Sequence, residues 1–256
     1  MAMRSWRLRC FLGLLCVVGL AVLGLGREPQ IAVASTSSPR NPTDTELKAL
    51  SNLSARYAQA GQIQAQVLRR TKLGLLGQTR VAEGQLTLSR GRIRMELKSS
   101  KGEKLLLIVG PKSYWSVTDP GKKDAALQVV TGPLASKAQT GQKAKSGSGR
   151  PVLLEIFGAE GFLRSFAVTG VLLAETQGVR YYLQPKVDWV DARRAMIRVI
   201  PEGAQWALAE LQLWDAQDNE TTYELSNVKV LKVEPKASVF QYSIPKNADV
   251  LSVGER

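Results

Sequence analysis

Carboxylates are the side chains of this chain whose spacing could support acid/base chemistry. Three acidic pairs lie close in the sequence, namely Asp188 with Asp191, Asp215 with Asp218, and Glu155 with Glu160. Two carboxylates that flank a sugar bond can hydrolyse it, one as general acid and the other as base or nucleophile. The two aspartate pairs lie in polar, turn-like segments, where solvated aspartates are common. The pattern favours a protein without catalytic residues, and glycan hydrolysis is the enzymatic alternative.

Cysteine, histidine and phosphate-loop chemistry is excluded over most of the chain. Both cysteines, Cys10 and Cys16, lie in an apolar N-terminal stretch, and the sequence has no histidine. The region after them therefore has no thiol nucleophile, no imidazole base and no cysteine or histidine metal ligand. The glycine-rich segment 146–149 does not precede a Gly-Lys-Ser/Thr motif, so it does not predict a phosphate loop. We expect no enzymatic activity, no metal and no cofactor.

The first segment, residues 1–34, has the composition of a cleaved signal peptide. Arginines precede an apolar run at 11–26, and Ala32 and Ala34 are the small residues of an A-x-A cleavage site. The alternative is an uncleaved membrane anchor, but the apolar run is short for a membrane span. We expect cleavage after Ala34 and export across the inner membrane to the periplasm.

Length, composition and charge indicate one basic globular domain. The chain has 256 residues, of which 44% are hydrophobic, and a formal net charge of +13. It is therefore long enough to bury one large core. A basic exported protein suits anionic surfaces such as lipid headgroups, or acidic partners, and nucleic acid is not an expected partner outside the cytoplasm. We expect a linker at 35–42 and a single domain at 43–256.

Two segments predict helices that must lie on an apolar surface. Thr43 and Glu46 form a capping-box pattern, apolar residues recur at helical spacing up to Tyr57, and Gly61 is placed to end the helix. A second helix is predicted at 151–163, where proline occupies the first position and apolar residues nearly encircle the helix. Both helices need cover from other elements.

From Gln62 the apolar residues recur at a period of two, which predicts strands. The predicted strands lie at 62–67, 83–94, 103–109, 113–119, 125–130, 179–185, 194–201, 205–215, 221–228 and 239–244. Successive hairpins of this kind predict one large curved antiparallel sheet with two or three helices. Such a sheet can be packed solid, which is the default, or enclose a cavity.

One strand-like segment, 84–99, places a charged residue on its apolar face. Leu86 and Leu88 share a face at a period of two, and Arg90 would share that face with them. After Arg90 the apolar positions shift to Ile93 and its alternate neighbours, so the phase of the pattern slips. A guanidinium with five donors at this place needs hydrogen-bond acceptors nearby.

Several segments together resemble the periplasmic outer-membrane lipoprotein carrier family, LolA. The segments are EGQLTLSRGRIRME (83–96), EKLLLIVGPKSYWSVTDP (103–120), RPVLLEIF (150–157), YYLQPK (181–186), LQLWDAQDNETTYELSNV (211–228) and VFQYSIPKNADVL (239–251). Each motif alone is weak, but their order and spacing are specific. The similarity extends from about Glu46 to Leu251.

The resemblance implies an unclosed antiparallel β-barrel, or half-barrel, covered by a lid of two to three helices. Its apolar cavity would take the acyl chains of lipoproteins released by an inner-membrane ABC transporter. The carrier, a monomer, would deliver these acylated lipoproteins to an outer-membrane lipoprotein receptor. In the family, the arginine at the position of Arg90 bonds backbone carbonyls of the lid, so the resemblance implies that Arg90 is a lid latch.

The residues expected to line the cavity are apolar positions of the strands and of the lid. They are Ile93, Met95, Leu105, Leu107, Trp115, Val152, Leu153 and Ile156. The pattern does not decide which of the residues in 103–109 face inward, because the apolar residues 105–109 are consecutive and fit either face.

A periplasmic sensor or scaffold built on the same half-barrel is the alternative to a carrier. It would bind lipid or a polyanion such as lipopolysaccharide. Its candidate contacts are Arg92, Arg94 and the lysine-rich loop 137–150, because clustered cations attract polyanions.

Overall fold

The computed structural model describes residues 38–122, 125–133, 153, 162–174, 178–186 and 192–252. The predicted signal peptide and the start of the linker lie outside the described residues, as do the loop 137–150 and most of the predicted helix 151–163. Within the described ranges, no helix is long and apolar enough to cross a membrane.

The first helix confirms the capping pattern of the sequence. Helix α1 (Asp44–Gln59) follows Thr43, whose hydroxyl accepts a hydrogen bond from the backbone nitrogen of Glu46 at 3.3 Å. The Glu46 carboxylate accepts in return from the backbone nitrogen of Thr43 at 2.8 Å, which completes a capping box. A short helix, α2 (Phe162–Ser165), and a 3-10 helix (Ala237–Phe240) are also described.

The strands occupy most of the described chain. They are β1 (Gln62–Leu73), β2 (Gln78–Ser89), β3 (Arg92–Ser99), β4 (Lys104–Val109), β5 (Ser113–Asp119), β6 (Gln128–Pro133), β7 (Phe166–Ala174), β8 (Gly178–Pro185), β9 (Arg194–Glu202), β10 (Gln205–Trp214), β11 (Glu220–Leu231) and β12 (Asp249–Ser252). The sequence pattern did not predict β7 or β12. The predicted strand at 239–244 is wrong, because its first residues end the 3-10 helix and the rest pairs with no strand.

All the strands belong to one sheet that does not close on itself. The 12-stranded sheet has the order β12-β6-β5-β4-β3-β2-β1-β11-β10-β9-β8-β7. Neighbouring strands are antiparallel, except that β12 pairs with β6 in parallel. The two ends of the sheet, β12 and β7, are separate edges, so the expected unclosed half-barrel with a helical cover is the observed fold.

One face of the sheet, which we call the inner face, is covered by α1. Leu50, Leu53 and Tyr57 on α1 are buried in the same core as Ile63 on β1. The Tyr57 hydroxyl also accepts a hydrogen bond from the backbone nitrogen of Leu208 on β10 at 3.0 Å. The apolar stripe of the helix and one polar anchor therefore hold α1 on this face.

The opposite, outer face of the sheet carries the C-terminal strap at β3, and we define the strap as residues 232–248. Phe240 in the strap is only 3% exposed. The guanidinium of Arg92 lies 4.7 Å from the centroid of the Phe240 ring, and Arg94 Nη1 donates to the carbonyl oxygen of Val239 at 3.0 Å. Two arginines on the outer face of β3 thus fix the strap to the sheet.

Cover on both faces explains why the run of residues 105–109 is apolar throughout. Leu107 pairs with Met95 on the inner face. Ile108 points the opposite way, lies between Arg94 and Trp115 in the strand register, and is fully buried. Strands buried on both faces have continuous apolar runs in place of an alternating pattern.

Close contact between β2 and β3 requires the glycine at position 84. A Cβ atom at Gly84 would lie 1.9 Å from the carbonyl oxygen of Glu96 in the paired strand. We therefore expect Gly84→Ala to force the two strands apart at a cost of about 3 kcal/mol. In a domain of this size that cost lowers Tm by about 6–12 °C, measurable by calorimetry.

The matched control for this prediction is Gly110→Ala. A Cβ at Gly110 would meet its nearest atoms at 3.5 Å, an ordinary contact. Its Tm should stay within about 2 °C of the wild type. An unchanged Tm for Gly84→Ala would contradict the described approach of β2 and β3.

Candidate functional site

Part of the inner face is apolar but incompletely covered. Ile93 and Met95 on β3 are 0% and 5% exposed and belong to the core. Leu105, Leu107 and Tyr114 on β4 and β5 pack against that core and are only half-buried. We call these three residues the inner apolar strip. The strip provides apolar surface that could contact the hydrocarbon part of a ligand.

Trp115 does not belong to this surface. The strand register pairs Trp115 with Ile108 and Ile108 with Arg94, so these residues share the outer face. The prediction that Trp115 lines the inner cavity is therefore wrong. The neighbouring residue, Tyr114, occupies the inner face instead. Two adjacent aromatic residues give no periodic signal that decides between the faces.

The lid residues predicted to line the cavity are only partly described. Leu153 is 4% exposed and belongs to the same core as Ile93 and Met95. Val152 and Ile156 lie outside the described residues, so their place in the cavity stays a prediction.

The charged residue in the strand-like segment 84–99 lies in a hairpin turn. Arg90 and Gly91 have φ angles of 45° and 75°, and Leu88 pairs directly with Ile93 across the two strands. Two residues with positive φ between paired strands are typical of a type I′ hairpin. Arg90 therefore does not share the apolar face with Leu88, and the slip in phase is the turn itself.

Arg90 contacts the C-terminal strap. Its side chain is 68% exposed, and Nη2 lies 2.8 Å from Glu234 Oε1. Arg92 Nη2 lies 3.3 Å from the other Glu234 oxygen. Both arginines and Arg94 thus bind the strap. The predicted hydrogen bonds from Arg90 to the lid stay a prediction, because residues 154–161 lie outside the described residues.

A lysine that the sequence analysis did not single out contacts the described end of the lid. Lys186 Nζ donates to the carbonyl oxygen of Leu163 at 2.9 Å, and the backbone nitrogen of Lys186 donates to the carbonyl oxygen of Ser165 at the same distance. Spare carbonyls at a helix end are natural acceptors for a lysine. The motif YYLQPK ends with this residue, but the acceptor is about twenty residues away in sequence and cannot be found from the motif.

The start of α1 is held by a polar network. The Arg40 guanidinium binds both oxygens of Glu46, and the Tyr181 hydroxyl donates to the carbonyl oxygen of Glu46 at 3.1 Å. The hydrogen bond from Arg40 lowers the pKa of Glu46 to about 2. Burial, assisted by the Glu46 charge, raises the pKa of Tyr181 to about 12. Arg40 also exchanges two backbone hydrogen bonds with Val171 of β7, so the end of the predicted linker is tied to the sheet edge.

One of the acidic pairs serves a turn. Asp215 Oδ1 accepts from the backbone nitrogens of Gln217 and Asn219, each at 2.9 Å. Asp218 has a φ angle of 58° and forms an ion pair with Arg193. These contacts stabilise the β10–β11 turn. The other two acidic pairs lie outside the described residues.

A cavity of about 700 Å³ lies between the end of α1 and the β9–β10 hairpin. Arg56 on its wall donates to the carbonyl oxygen of Trp206 at 2.9 Å and to Glu202 Oε2 at 3.1 Å. Leu231 and Lys232 form part of the opposite wall. Because Arg56 is engaged with the hairpin, it ties the helix end to the sheet.

Comparison with known proteins identifies similar folds. No family model and no curated protein matches the chain. An uncharacterized conserved protein from Thermus thermophilus has 9% identity and a TM-score of 0.43, covering 80% of this chain and 98% of that chain. A domain from Vibrio parahaemolyticus, described as an outer membrane lipoprotein-sorting protein domain, has 10% identity and a TM-score of 0.36. The match covers 75% of this chain and 96% of that chain. Lipoprotein LppX from Mycobacterium tuberculosis has 10% identity and a TM-score of 0.36, covering 73% of this chain and 96% of that chain.

One of these structures is described as a lipoprotein-sorting domain. At 9–10% identity the likeness concerns the fold alone. The function is therefore inferred from the residues of this chain.

The Arg40–Glu46 contact predicts a specific loss of stability in acid. The folded pKa of Glu46 is about 2, below the ordinary value of about 4.3 for an unfolded glutamate. The contact therefore stabilises the fold fully above about pH 4.3 and loses its effect as the pH falls toward 2. We expect Glu46→Gln to lower Tm at pH 7, and the difference from wild type to shrink between pH 5 and about 2.5 in thermal unfolding.

Asp44→Asn is the control for this experiment. Asp44 is exposed in the same helical turn and forms no ion pair among the described residues. It should change Tm much less than Glu46→Gln. A Tm difference for Glu46→Gln that is independent of pH would contradict the charged contact.

The contact between Arg90 and Glu234 predicts that Arg90 stabilises the strap. Because the ion pair is exposed, Arg90→Leu should speed amide hydrogen exchange in residues 232–240 only about two- to fivefold. Glu234→Gln, which also releases Arg92, should have at least the same effect.

The same two variants test the lid-latch prediction. If the chain transfers lipoproteins, as the sequence resemblance implies, and Arg90 also latches the lid, Arg90→Leu slows transfer to outer-membrane vesicles and Glu234→Gln does not. If both variants transfer at the wild-type rate, Arg90 acts on the strap alone.

Proposed function

We propose that this chain is a periplasmic carrier of acylated lipoproteins and that it acts by burying acyl chains, without catalysis. The observation that carries the proposal is the inner apolar strip. Leu105, Leu107 and Tyr114 lie on the face covered by α1, next to a closed core, and yet stay half-buried. Apolar surface of this kind suits a hydrocarbon ligand.

Burial alone is sufficient for a carrier because the barrier it removes is large. Moving one methylene group from an apolar phase to water costs about 0.8 kcal/mol, so a sixteen-carbon chain costs on the order of 10 kcal/mol. A lipoprotein with several acyl chains does not cross an aqueous compartment unassisted. A protein that covers the chains with its own apolar surface removes most of this cost.

The open sheet supports a cargo of variable size. A closed barrel has a fixed number of strand pairs that set its diameter, whereas the edges β12 and β7 of this sheet are separate. The helical cover and the sheet can therefore move apart without breaking strand hydrogen bonds. In this proposal the donor is an inner-membrane lipoprotein-releasing ABC transporter and the acceptor an outer-membrane lipoprotein receptor.

The absence of catalysis is part of the proposal, and the described acidic pair supports it. Asp215 and Asp218 are engaged in hydrogen bonds and an ion pair that stabilise their own turn. Arg92 and Arg94 are likewise engaged with the strap, which makes them poor polyanion contacts and disfavours the scaffold alternative in its predicted form.

Two adjacent leucines of β4 test whether acyl chains bind at the inner face. Leu107 belongs to the inner apolar strip, and Leu106 is a half-buried residue of the outer face, paired with Glu96 and Val117. We expect Leu107→Gln to weaken binding of palmitate about tenfold, or about 1.4 kcal/mol, measured by displacement of N-phenyl-1-naphthylamine. Leu106→Gln is the matched control and should leave the affinity near wild type.

Equal losses in the two variants would show that the effect is one of stability and would contradict the inner-face site.

A transfer experiment distinguishes a carrier from a sensor. Wild-type protein loaded with an acylated lipoprotein should deliver it to outer-membrane vesicles, whereas a protein that binds lipid without transfer is a sensor.

A further inference from the structure

We propose that the inner face also contains a subsite for an anionic group, formed by Arg69 and Arg80, and that lipids with a phosphate or carboxylate headgroup are a further class of ligand. The inference rests on the proposed function in one respect: the hydrocarbon part of such a lipid would occupy the same apolar face.

Arg69 is a cation within an otherwise apolar row of the sheet. Its partners in the strand register are Ala82 on β2 and Tyr223 on β11, and both are buried in the core that α1 covers. Residues directly opposite each other on paired strands share a face. Arg69 therefore lies on the inner face and not among the solvated arginines of the outer face.

The guanidinium of Arg69 has hydrogen-bonding capacity that the described residues do not use. Its Nε atom is buried and has no hydrogen-bond partner. Its one described contact is with the ring of Tyr223, 5.9 Å from the centroid, and no carboxylate in the described ranges lies within ion-pair distance of it. A buried donor without an acceptor is costly, so an acceptor from a ligand would stabilise this site.

Polar groups next to Arg69 complete the subsite. One step along the inner face, Thr71 pairs with Arg80 on one side and with Thr221 on the other. The two threonine hydroxyl oxygens are 3.4 Å apart. Arg80 is exposed and has no ion pair within the described ranges. One of the two hydroxyls donates to the other, which leaves two guanidinium groups and one hydroxyl as donors. This set suits an anionic oxygen group, which arginine binds through paired hydrogen bonds.

The inner face changes from apolar to basic along the strands. On β1, Ile63 and Val67 are buried and Arg69 follows on the same face. On β2, Leu88 and Leu86 are buried and the same face ends at Arg80. At about 3.3 Å per residue, the change occurs over roughly 20 Å. The inner apolar strip on β4 lies three strand spacings from Arg69 on β1, or about 14 Å across the sheet. A lipid whose chain lies on the strip could therefore place its charged head at the arginines.

Arg180 provides a matched control on the other face of the sheet. Its Nε atom is also buried without a hydrogen-bond partner. Arg180 pairs with Arg198 in the strand register, and the Arg198 Nε atom donates a hydrogen bond to Glu210. Both arginines lie on the face opposite to the core residues Val179 and Tyr181. Replacing Arg180 removes a similar charge and a similar unused donor without touching the inner face.

The experiment measures the affinities of three lipids with the same oleoyl chain for the full chain. The probes are oleate, oleoyl lysophosphatidate and the uncharged monooleoylglycerol, each displacing N-phenyl-1-naphthylamine at low ionic strength. We expect at least one charged lipid to bind about tenfold more tightly than monooleoylglycerol. A preference for lysophosphatidate alone identifies a phosphate headgroup, and a preference for both charged lipids includes the carboxylate.

The variants decide whether these arginines cause the preference. Arg69→Gln should reduce the preference about tenfold and leave the affinity for monooleoylglycerol unchanged. Arg80→Gln changes an exposed residue that does not threaten folding, and should reduce the preference in the same direction. Arg180→Gln should behave as the wild type.

Three results would overturn the inference. Equal affinities for the three lipids exclude an anion subsite, although the proposed lipid binding then stands. A preference that survives Arg69→Gln and Arg80→Gln places the anion elsewhere. Failure of every lipid, including monooleoylglycerol, to displace the fluorophore overturns the lipid-binding proposal together with the subsite.

Discussion

The structure depends on cover for an apolar sheet face that the strands cannot bury by themselves. Within the described ranges, one open sheet of 12 strands presents its inner face to one long helix, α1. Leu50, Leu53 and Tyr57 supply the apolar contact, and polar contacts from Arg40 and Tyr181 hold the helix start in place. The residues of β4 and β5 on this face are covered less completely, and this is where the inner apolar strip lies.

The outer face of the same strands imposes a second constraint. Between Lys104 and Val109 the chain is apolar on both sides, and an exposed outer face there would be an aggregation hazard. The C-terminal strap removes that hazard by burying Phe240 against the outer face. The arginines of β3 and its turn then have a structural role, because they bind the strap through Glu234 and Val239.

Many of the described arginines have an acidic partner, and a few do not. Several on the outer face and in turns are neutralised, such as Arg70 by Glu224 and Arg198 by Glu210. Arg69 and Arg80 on the inner face have no such partners within the described ranges. A basic protein can keep unpaired cations at its surface at little cost, but a half-buried guanidinium next to the core is expensive. Its position beside apolar surface is consistent with an amphipathic ligand, and this connects the subsite to the proposed acyl-chain carrier.

Local sequence determined most of the elements, although not β7, β12 or the segment 239–244, and tertiary structure determined their partners. The capping box at Thr43, the period of two and the β10–β11 turn depend on neighbouring residues, so they were predicted correctly. Three features were not predicted from the sequence: the face of Trp115, the ion pair of Arg90 and the lid contact of Lys186. Adjacent aromatic residues fit either face equally well, and Glu234 lies far from Arg90 in the sequence. Local periodicity contains no information on which distant segment covers a strand, because that choice is made by the burial of apolar area over the whole sheet.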